Sequence, residues 1–401
     1  MHVDKGGDFV HVLNTNLWNR TDVVFLDSMV NLNEKELITR TGEKVETQRL
    51  YDGRWAFVAE NIPALSSEVY QIVSKKKSSR RFVSMIAENK ILNNGIVRVE
   101  IDEVKGTISS FKRVGDSYEY ASNSGLNDYL YTGRYASDPQ GIEQILNIRV
   151  LDDGAVAATL RIESKAPGCN TLWRDVTVYK GIDRVDICNT LDKQDILDFE
   201  NVRFVFPFNI QQPEITMDLA MSEIHPEREQ LEGVNKHYYS LQNGLAVGDL
   251  EHAVCLTTVD APFVELGSPS GLDYRLNPRH GYGWWQSAKI SPIVYSWVMT
   301  NTWRTNYKAS QGGTAKFRYS LQPCNPLDLK LKQRGAEREM ELVAVASRSS
   351  QNIEQLFRLK GRHRIALSSI KPADDGKGYI VCLHNMGKQS VCSSFVWGSI
   401  R

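Results

Sequence analysis

Apolar and polar residues alternate with a period of two along most of the chain, in segments rich in Val, Ile, Thr, Tyr and Phe. Windows with a sustained 3.6-residue period are nearly absent. Successive side chains of a strand point to opposite faces, so this pattern predicts β structure from end to end. The predicted strands include Val23–Asp27, Glu68–Val73, Ile96–Ile101, Gln144–Leu151, Ala155–Glu163, Asp175–Tyr179 and Val185–Thr190. Further on come Val202–Asn209, Ala253–Val259, Val294–Met299, Ala315–Leu321, Glu341–Ala346 and Tyr379–His384. Between them, Asn93-Asn94-Gly95, Asp152-Asp153-Gly154 and Lys180-Gly181-Ile182-Asp183 can supply the positive φ of tight hairpins. Long alternating runs predict antiparallel sheets packed face to face, because a parallel sheet would need long helical crossovers.

Two seams interrupt the pattern. The first is the charged stretch Ser74-Lys75-Lys76-Lys77-Ser78-Ser79-Arg80-Arg81. A solvated linker is favoured there over a basic contact patch, since no aromatic residue is interleaved with the charges. The second is Gln322-Pro323-Cys324-Asn325-Pro326 with the mixed charges of Lys330–Glu341. They predict a small N-terminal β domain over 1–76, a central block over 82–322 and a small C-terminal β domain over 327–401. The 401 residues agree with two or three domains. With 48 basic against 48 acidic side chains there is no clustered excess of charge to release counterions from nucleic acid. No apolar run is long enough to span a bilayer, and the first residues lack the apolar segment of a signal peptide. A soluble protein with no nucleic-acid or membrane partner is expected, in a compartment the sequence leaves unknown.

The six cysteines, Cys169, Cys188, Cys255, Cys324, Cys382 and Cys392, follow neither a zinc-module nor a disulfide-framework spacing. Buried free thiols are expected, with a Cys382–Cys392 bridge across a hairpin left open. Among the histidines, His2-Val3-Asp4 has a metal-like form but sits at the terminus with no strand before it. His225, His237, His252, His280, His363 and His384 are isolated, and a structural role outweighs a ligand role for each. Nucleophile-elbow, phosphate-loop and zinc-protease motifs are all missing. Glycoside hydrolysis needs two carboxylates ~5–9.5 Å apart, a distance that spacing in a β protein does not report, so no acid/base pair is nominated. The segment Tyr274–Gln311 holds four of the eight tryptophans. Aromatic faces ringed by Asn, Arg and His suit the apolar face and polar rim of a sugar, but composition alone favours packing between sheets.

The run Ser296-Trp297-Val298-Met299-Thr300-Asn301-Thr302-Trp303-Arg304-Thr305-Asn306-Tyr307, with Gln311 and Phe317-Arg318-Tyr319, resembles a signature of glycoside hydrolase family 38, the retaining α-mannosidases. Phe9–Trp18 with Arg20-Thr21-Asp22-Val23-Val24 resembles the opening of that family's β region. Glu88–Gly95 followed by Asp102–Ile108 resembles the start of its central sandwich. These separated motifs occur in the family's order and span essentially the whole chain. The resemblance implies an all-β fold, a large antiparallel β-super-sandwich of the galactose mutarotase-like kind flanked by two small β-sandwich units.

Only the family's C-terminal all-β part is matched. Its catalytic zinc, held by His and Asp, and its Asp nucleophile lie mostly in an N-terminal α/β barrel, so the resemblance implies no catalytic residue and no metal ligand in this chain. Zinc is expected in the separate N-terminal catalytic domain. The chain is then expected to be shortened at both ends and inactive alone. Its implied partners are that domain and, in the intact enzyme, an α-mannoside; a homo-oligomer is left open. The family's central domain lends a Tyr and an Arg to the rim of the mannose pocket. Gly125-Leu126-Asn127-Asp128-Tyr129-Leu130-Tyr131 resembles the segment with that Tyr, pointing to Tyr129 with Tyr131 as the competing choice. No motif marks the Arg, for which Arg279, or Arg275, in the aromatic-rich loop is the candidate. Trp284, Trp285 and Trp303 then shift toward packing. The alternative is a free-standing carbohydrate-binding or mutarotase-like module, which rests on fold similarity and needs a positioned carboxylate and histidine. A structural assembly module is a third.

Overall fold

In the computed structural model, residues 7–27, 30–75, 82–133, 139–219, 222–269, 285, 287–301, 308–355, 357–360, 365–385, 390 and 394–397 are described. The alternating segments become strands, and every pairing between strands of the described residues is antiparallel. Three sheets build the central block. The largest has nine strands, ordered Gln144–Asp153, Ala157–Lys165, Cys169–Tyr179, Val185–Lys193, Gly313–Cys324, Ala253–Thr258, Gly244–Gly248, Glu214–Leu219 and Ser222–Ile224. A five-stranded sheet runs Asp128–Thr132, Asn201–Pro207, Ile293–Thr300, Phe263–Leu266 and Tyr239–Ser240. A four-stranded sheet covers the remainder with Ile108–Arg113, Val97–Ile101, Ile91–Asn93 and Ile86–Ala87.

The two larger sheets bury one continuous apolar layer between them. Phe204 and Phe206 share one face of a strand in the five-stranded sheet and meet Tyr319 of the nine-stranded sheet at ring-centroid distances of 6.1 and 5.1 Å. Tyr129 packs against Phe204 at 6.0 Å. The Tyr319 hydroxyl would be costly to bury unpaired, and it shares a 2.9 Å hydrogen bond with the Ser296 hydroxyl.

The turn chemistry holds at two of the three predicted hairpins. Gly95 and Gly181 have φ of +85° and +74°. Gly154 is not in the left-handed region; it is required by close approach, since a Cβ there would lie 2.3 Å from Gln48 Cδ. Gln48 closes this turn from another sheet, its Oε1 accepting from the Val156 and Ala157 amides at 2.9 and 2.8 Å.

The N-terminal unit is a small sandwich. Its five-stranded sheet contains Phe9–Asn14, Ser66–Ser74, Lys35–Ile38 and Lys44–Val45, and its three-stranded sheet Arg20–Leu26, Trp55–Ile62 and Gln48–Arg49. The fifth strand, Val343–Ser347, comes from beyond the second seam and pairs with Phe9–Leu13. Two antiparallel strand pairs make up the C-terminal unit, Phe357–Lys360 with Ser394–Trp397 and, between them in sequence, the hairpin Ile365–Pro372 with Tyr379–Asn385. The linker residues 76–81 lie outside the described residues.

At the second seam the strand continues through Pro323 to Cys324, and Leu331–Glu339 forms a helix that the sequence pattern does not predict. Its sequence LKQRGAERE has no apolar stripe, and its buried residues are Leu331, Lys332, Gly335 and Arg338. The helix is held by tertiary contacts instead. Gly335 lets it approach the sheet, where a Cβ would lie 2.2 Å from Asn243 Cβ, and Lys332 pairs with the buried Asp218. Arg20 takes the exposed carbonyls at its C-terminal end, donating to Glu337 O at 2.9 Å and Met340 O at 2.5 Å.

The same Arg20 begins a buried ionic chain that joins the N-terminal unit, the central sandwich and the helix. Arg20 Nη2 meets Asp22 Oδ2 at 2.8 Å, and Arg184 Nη2 meets Asp22 Oδ1 at 3.0 Å. Arg184 Nε then meets Asp186 Oδ1 at 2.8 Å, and Arg338 Nη1 meets Asp186 Oδ2 at 3.3 Å. Burial alone would push the Asp22 carboxyl up, but Arg184, with Arg20 and Arg338 behind it, overcomes that and holds it below the usual carboxylate range. A depressed folded-state value means stability present above the unfolded value of about 3.9 and lost as pH falls through the folded one. Asp22→Asn, which leaves the buried arginines short of a charge, is expected to cost about 3–5 kcal/mol at neutral pH in urea unfolding. The gap to the native chain should narrow as pH falls below about 4. Equal midpoints at pH 7 would contradict this role.

Candidate functional site

The candidate site lies at the ends of the strands Val185–Lys193, Asn201–Pro207, Ile293–Thr300 and Gly313–Cys324. Register brings it together: Thr132 pairs with Asn201, Asn201 with Thr300, and Lys193 with Gly313. Tyr129 and Tyr131 share one face of their strand, two residues and thus ~7 Å apart. Tyr129 is 0% exposed, and its hydroxyl donates to Pro167 O at 2.6 Å. Burial, with Cys169 next, pushes its phenol far up. Tyr131, nearer the strand end, is half-buried. Burial and then the nearby Glu200 carboxylate push its phenol up as well. Of the two tyrosines, Tyr131 is the one with surface to offer a ligand. Arg275 and Arg279 lie outside the described residues.

Around Tyr131 is a polar cluster. Lys193 Nζ donates to Glu200 Oε1 at 2.6 Å, both side chains being almost fully buried, and to Gln194 O at 3.0 Å. Asn301 Oδ1 accepts from the Glu200 amide at 2.7 Å, and Asn301 Nδ2 donates to Ile196 O at 3.1 Å and Asp198 O at 2.8 Å. One asparagine thus fixes the Gln194–Phe199 loop to the end of the Ile293–Thr300 strand. Gly168, at φ +75°, lies under the Tyr131 ring, where a Cβ would come within 2.7 Å of Cε2.

Lys193 and Glu200 did not stand out in the sequence. A signal was present for Lys193: Val185, Ile187, Asn189 and Leu191 form the inward set of its strand, and Lys193 continues that parity. A lysine at an inward position must be paired or neutral.

The described part of the aromatic-rich segment packs on the opposite face of the five-stranded sheet. Arg203 and Glu265, both 0% exposed, pair through Nε to Oε2 at 2.5 Å and Nη2 to Oε1 at 3.3 Å. Trp297 covers the guanidinium at 4.6 Å, and Tyr238 meets Trp297 edge-on at 6.0 Å. His237 accepts the Trp285 backbone N–H on Nε2 at 2.9 Å and packs edge-on against that indole. Burial holds the His237 ring below the ordinary histidine range. Trp285 and Trp297 therefore pack against buried polar groups, while Trp284, Trp303 and the Thr302–Tyr307 part of the signature lie outside the described residues.

Among the described residues no group of three or more His, Cys, Asp or Glu could hold a metal ion, so no step through zinc is derived for them. None of their helices is long and apolar enough to cross a membrane. Cys169, Cys255 and Cys324 are buried free thiols, whereas Cys188 is half-buried and Cys382 exposed. Cys382 lies in a surface hairpin strand opposite Ser369, so the expectation of burial fails there. Cys392 is outside the described residues.

No family model matches the chain, and no curated protein matches it in sequence. Solved structures do match its fold. An α-mannosidase from Enterococcus faecalis V583 aligns over 97% of this chain and 52% of its own with a TM-score of 0.73 and 12% identity. A glycosyl hydrolase family 38 protein from Enterococcus faecalis aligns over 97% and 53% with a TM-score of 0.71 and 11% identity. A galactose mutarotase-like protein from Lactobacillus casei ATCC 334 aligns over 61% of this chain and all of its own, but its TM-score of 0.33 carries no conclusion. The chain therefore has the fold of a large part of an α-mannosidase, and it spans about half the length of those two proteins.

Removing Lys193 would leave Glu200 buried and uncompensated. Lys193→Met is expected to cost about 3–5 kcal/mol in urea unfolding. The double variant Lys193→Met/Glu200→Gln should recover much of that loss; a single variant as stable as the native chain would contradict the pairing.

Proposed function

We propose that the chain is the β portion of a family 38 type α-mannosidase, a retaining glycoside hydrolase, serving as scaffold and as one rim of the mannose pocket. The observation that carries this reading is the superposition of 97% of the chain on half of an α-mannosidase, with the Ser296–Thr300 part of the signature lying in a strand that ends at Asn301, in the same sheet as the Tyr131 strand. On this reading the zinc, the nucleophile and the acid/base belong to a barrel domain supplied with the chain. The rim residue is Tyr131 rather than Tyr129, whose hydroxyl is committed to Pro167. Arg279 remains the candidate for the rim arginine.

The arrangement gives the rim a defined chemistry. A phenol beside a buried carboxylate, on a loop fixed by Asn301, can hold one hydroxyl of a sugar without moving. Such a contact accelerates hydrolysis only in so far as it strengthens in the transition state. A mutarotase-like module is less well supported: it needs a carboxylate free to take a proton from the anomeric hydroxyl. Glu265, the carboxylate in electrostatic reach of His237, is fully buried and held in two hydrogen bonds by Arg203.

The test is an aryl α-mannoside assay, with zinc analysis, of the chain alone and of the chain combined with an N-terminal catalytic half. No turnover by the chain alone and turnover on combination are expected. Tyr131→Phe in the combined enzyme should lower kcat/KM about ten- to a hundredfold. Stoichiometric zinc with turnover by the chain alone would contradict the scaffold reading, and an unchanged Tyr131→Phe enzyme would remove Tyr131 from the rim.

A further inference from the structure

A cleft of about 1210 Å³ opens where the loop Thr15–Trp18, the helix Leu331–Glu339 and the hairpin strand Ile365–Pro372 meet the nine-stranded sheet. Its floor is the sheet face turned away from the sandwich core. Ile215, Met217, Leu245 and Val247 point into the core, whereas the alternate residues Thr216, Ala246 and Gly248 face the cleft. It is remote from the Tyr131 cluster. That cluster adjoins Gly313, the cleft floor adjoins Cys324 through its partner Ala253, and the twelve-residue strand between them spans roughly 35 Å.

The lining selects against anions and lipid chains. Glu214, Glu223, Asp249, Asp328 and Glu339 line it against two lysines. Both lysines are already engaged, Lys332 with Asp218 and Lys330 with Asp328 at 3.4 Å. Phosphates and other anions are therefore repelled. A lipid chain would leave the carboxylates and amides that line the cleft without partners. The same lining also holds the apolar side chains of Trp18, Leu367 and Ile370 and the neutral polar groups of Asn16, Thr216 and Gln242.

Two polar groups lack the partners that a closed structural role would give them. Asn16 is 3% exposed, and its Nδ2 has no hydrogen-bond partner. His225 directs Nδ1 at Ile215 O, 3.2 Å away; a carbonyl can only accept, so Nδ1 donates there and Nε2 is left for another partner. Donors and acceptors interleaved with an indole and aliphatic side chains match a ligand with apolar C–H faces and hydroxyl rims. The volume exceeds that of ordinary small-molecule pockets, about 300–1,000 Å³.

We propose that this cleft binds a neutral oligosaccharide longer than a single ring. The site is built from all three units of the chain, and it is independent of the mannoside pocket and of the reading that places that pocket. Trp18 Nε1 also bonds Glu337 Oε1 at 2.6 Å, so its removal would disturb the junction. The exposed Gln242 and Ser369 are better probes.

Calorimetric titration of the full chain with maltotriose, cellotriose and α-1,2-linked mannotriose tests the proposal, with tetralysine as the competing class. At least one trisaccharide should bind saturably. Ser369→Trp, which fills the cleft, should weaken it about tenfold or more, and Gln242→Ala about threefold. Trp173→Ala, on a strand of the same sheet that does not line the cleft, should leave it unchanged, with circular dichroism confirming that each variant is folded. Three outcomes would overturn the proposal: no binding of any trisaccharide, binding indifferent to Ser369→Trp, or binding of tetralysine alone. None depends on mannosidase activity, so the two readings fail separately.

Discussion

The structure depends on the apolar seam between its two largest sheets. Phe204, Phe206, Tyr129 and Tyr319 interlock there with almost no exposed surface, each burial contributing of the order of 1.5–3 kcal/mol. Because side chains alternate strictly along a strand, fixing these residues inward fixes the direction of every neighbour. Tyr131 follows Tyr129 by two and is carried on the same face to the open end. Arg203, one residue before Phe204, is turned to the other face, where Glu265 and Trp297 receive it. A slip of one residue would exchange the two sets.

Charge is then placed where the apolar seam ends. Lys193 with Glu200 closes one end of the sandwich, Arg203 with Glu265 lies behind it, and the chain from Arg20 through Asp22, Arg184 and Asp186 to Arg338 fixes the N-terminal unit and the helix. Such pairs are weak contributors to stability compared with apolar packing, yet breaking one is costly. They therefore act as registration points that hold the N-terminal unit, the central sandwich and the helix in one arrangement. A rigid arrangement is what a pocket rim supplied from one domain to another requires.

Much of the fold was legible because it rests on alternation. The ten-residue run Gln144–Asp153 and the run Val185–Lys193 carry their strand identity in local sequence. The helix Leu331–Glu339 was not legible, since its residues neither show an apolar stripe nor carry a cap; its reasons lie in Asn243, Asp218 and Arg20, which are distant in sequence. The site was legible only in part. Motif resemblance pointed to Tyr129 and Tyr131; that Tyr129 is committed to the Pro167 carbonyl while Tyr131 lies near the Glu200 carboxylate shows only in the structure. Glu200 precedes the strand Asn201–Pro207 and shows no local signal of burial; only pairing with Lys193 reveals it.

The central claim is that the strand ends around Tyr131 and Asn301 form one side of a sugar pocket completed by another domain. A crystal structure of the chain combined with an N-terminal catalytic half and a mannose-configured inhibitor tests it most directly. The account predicts the inhibitor at the domain junction, with a sugar hydroxyl in hydrogen-bond reach of the Tyr131 phenol. An inhibitor bound with the Tyr131 and Asn301 end facing solvent would contradict it.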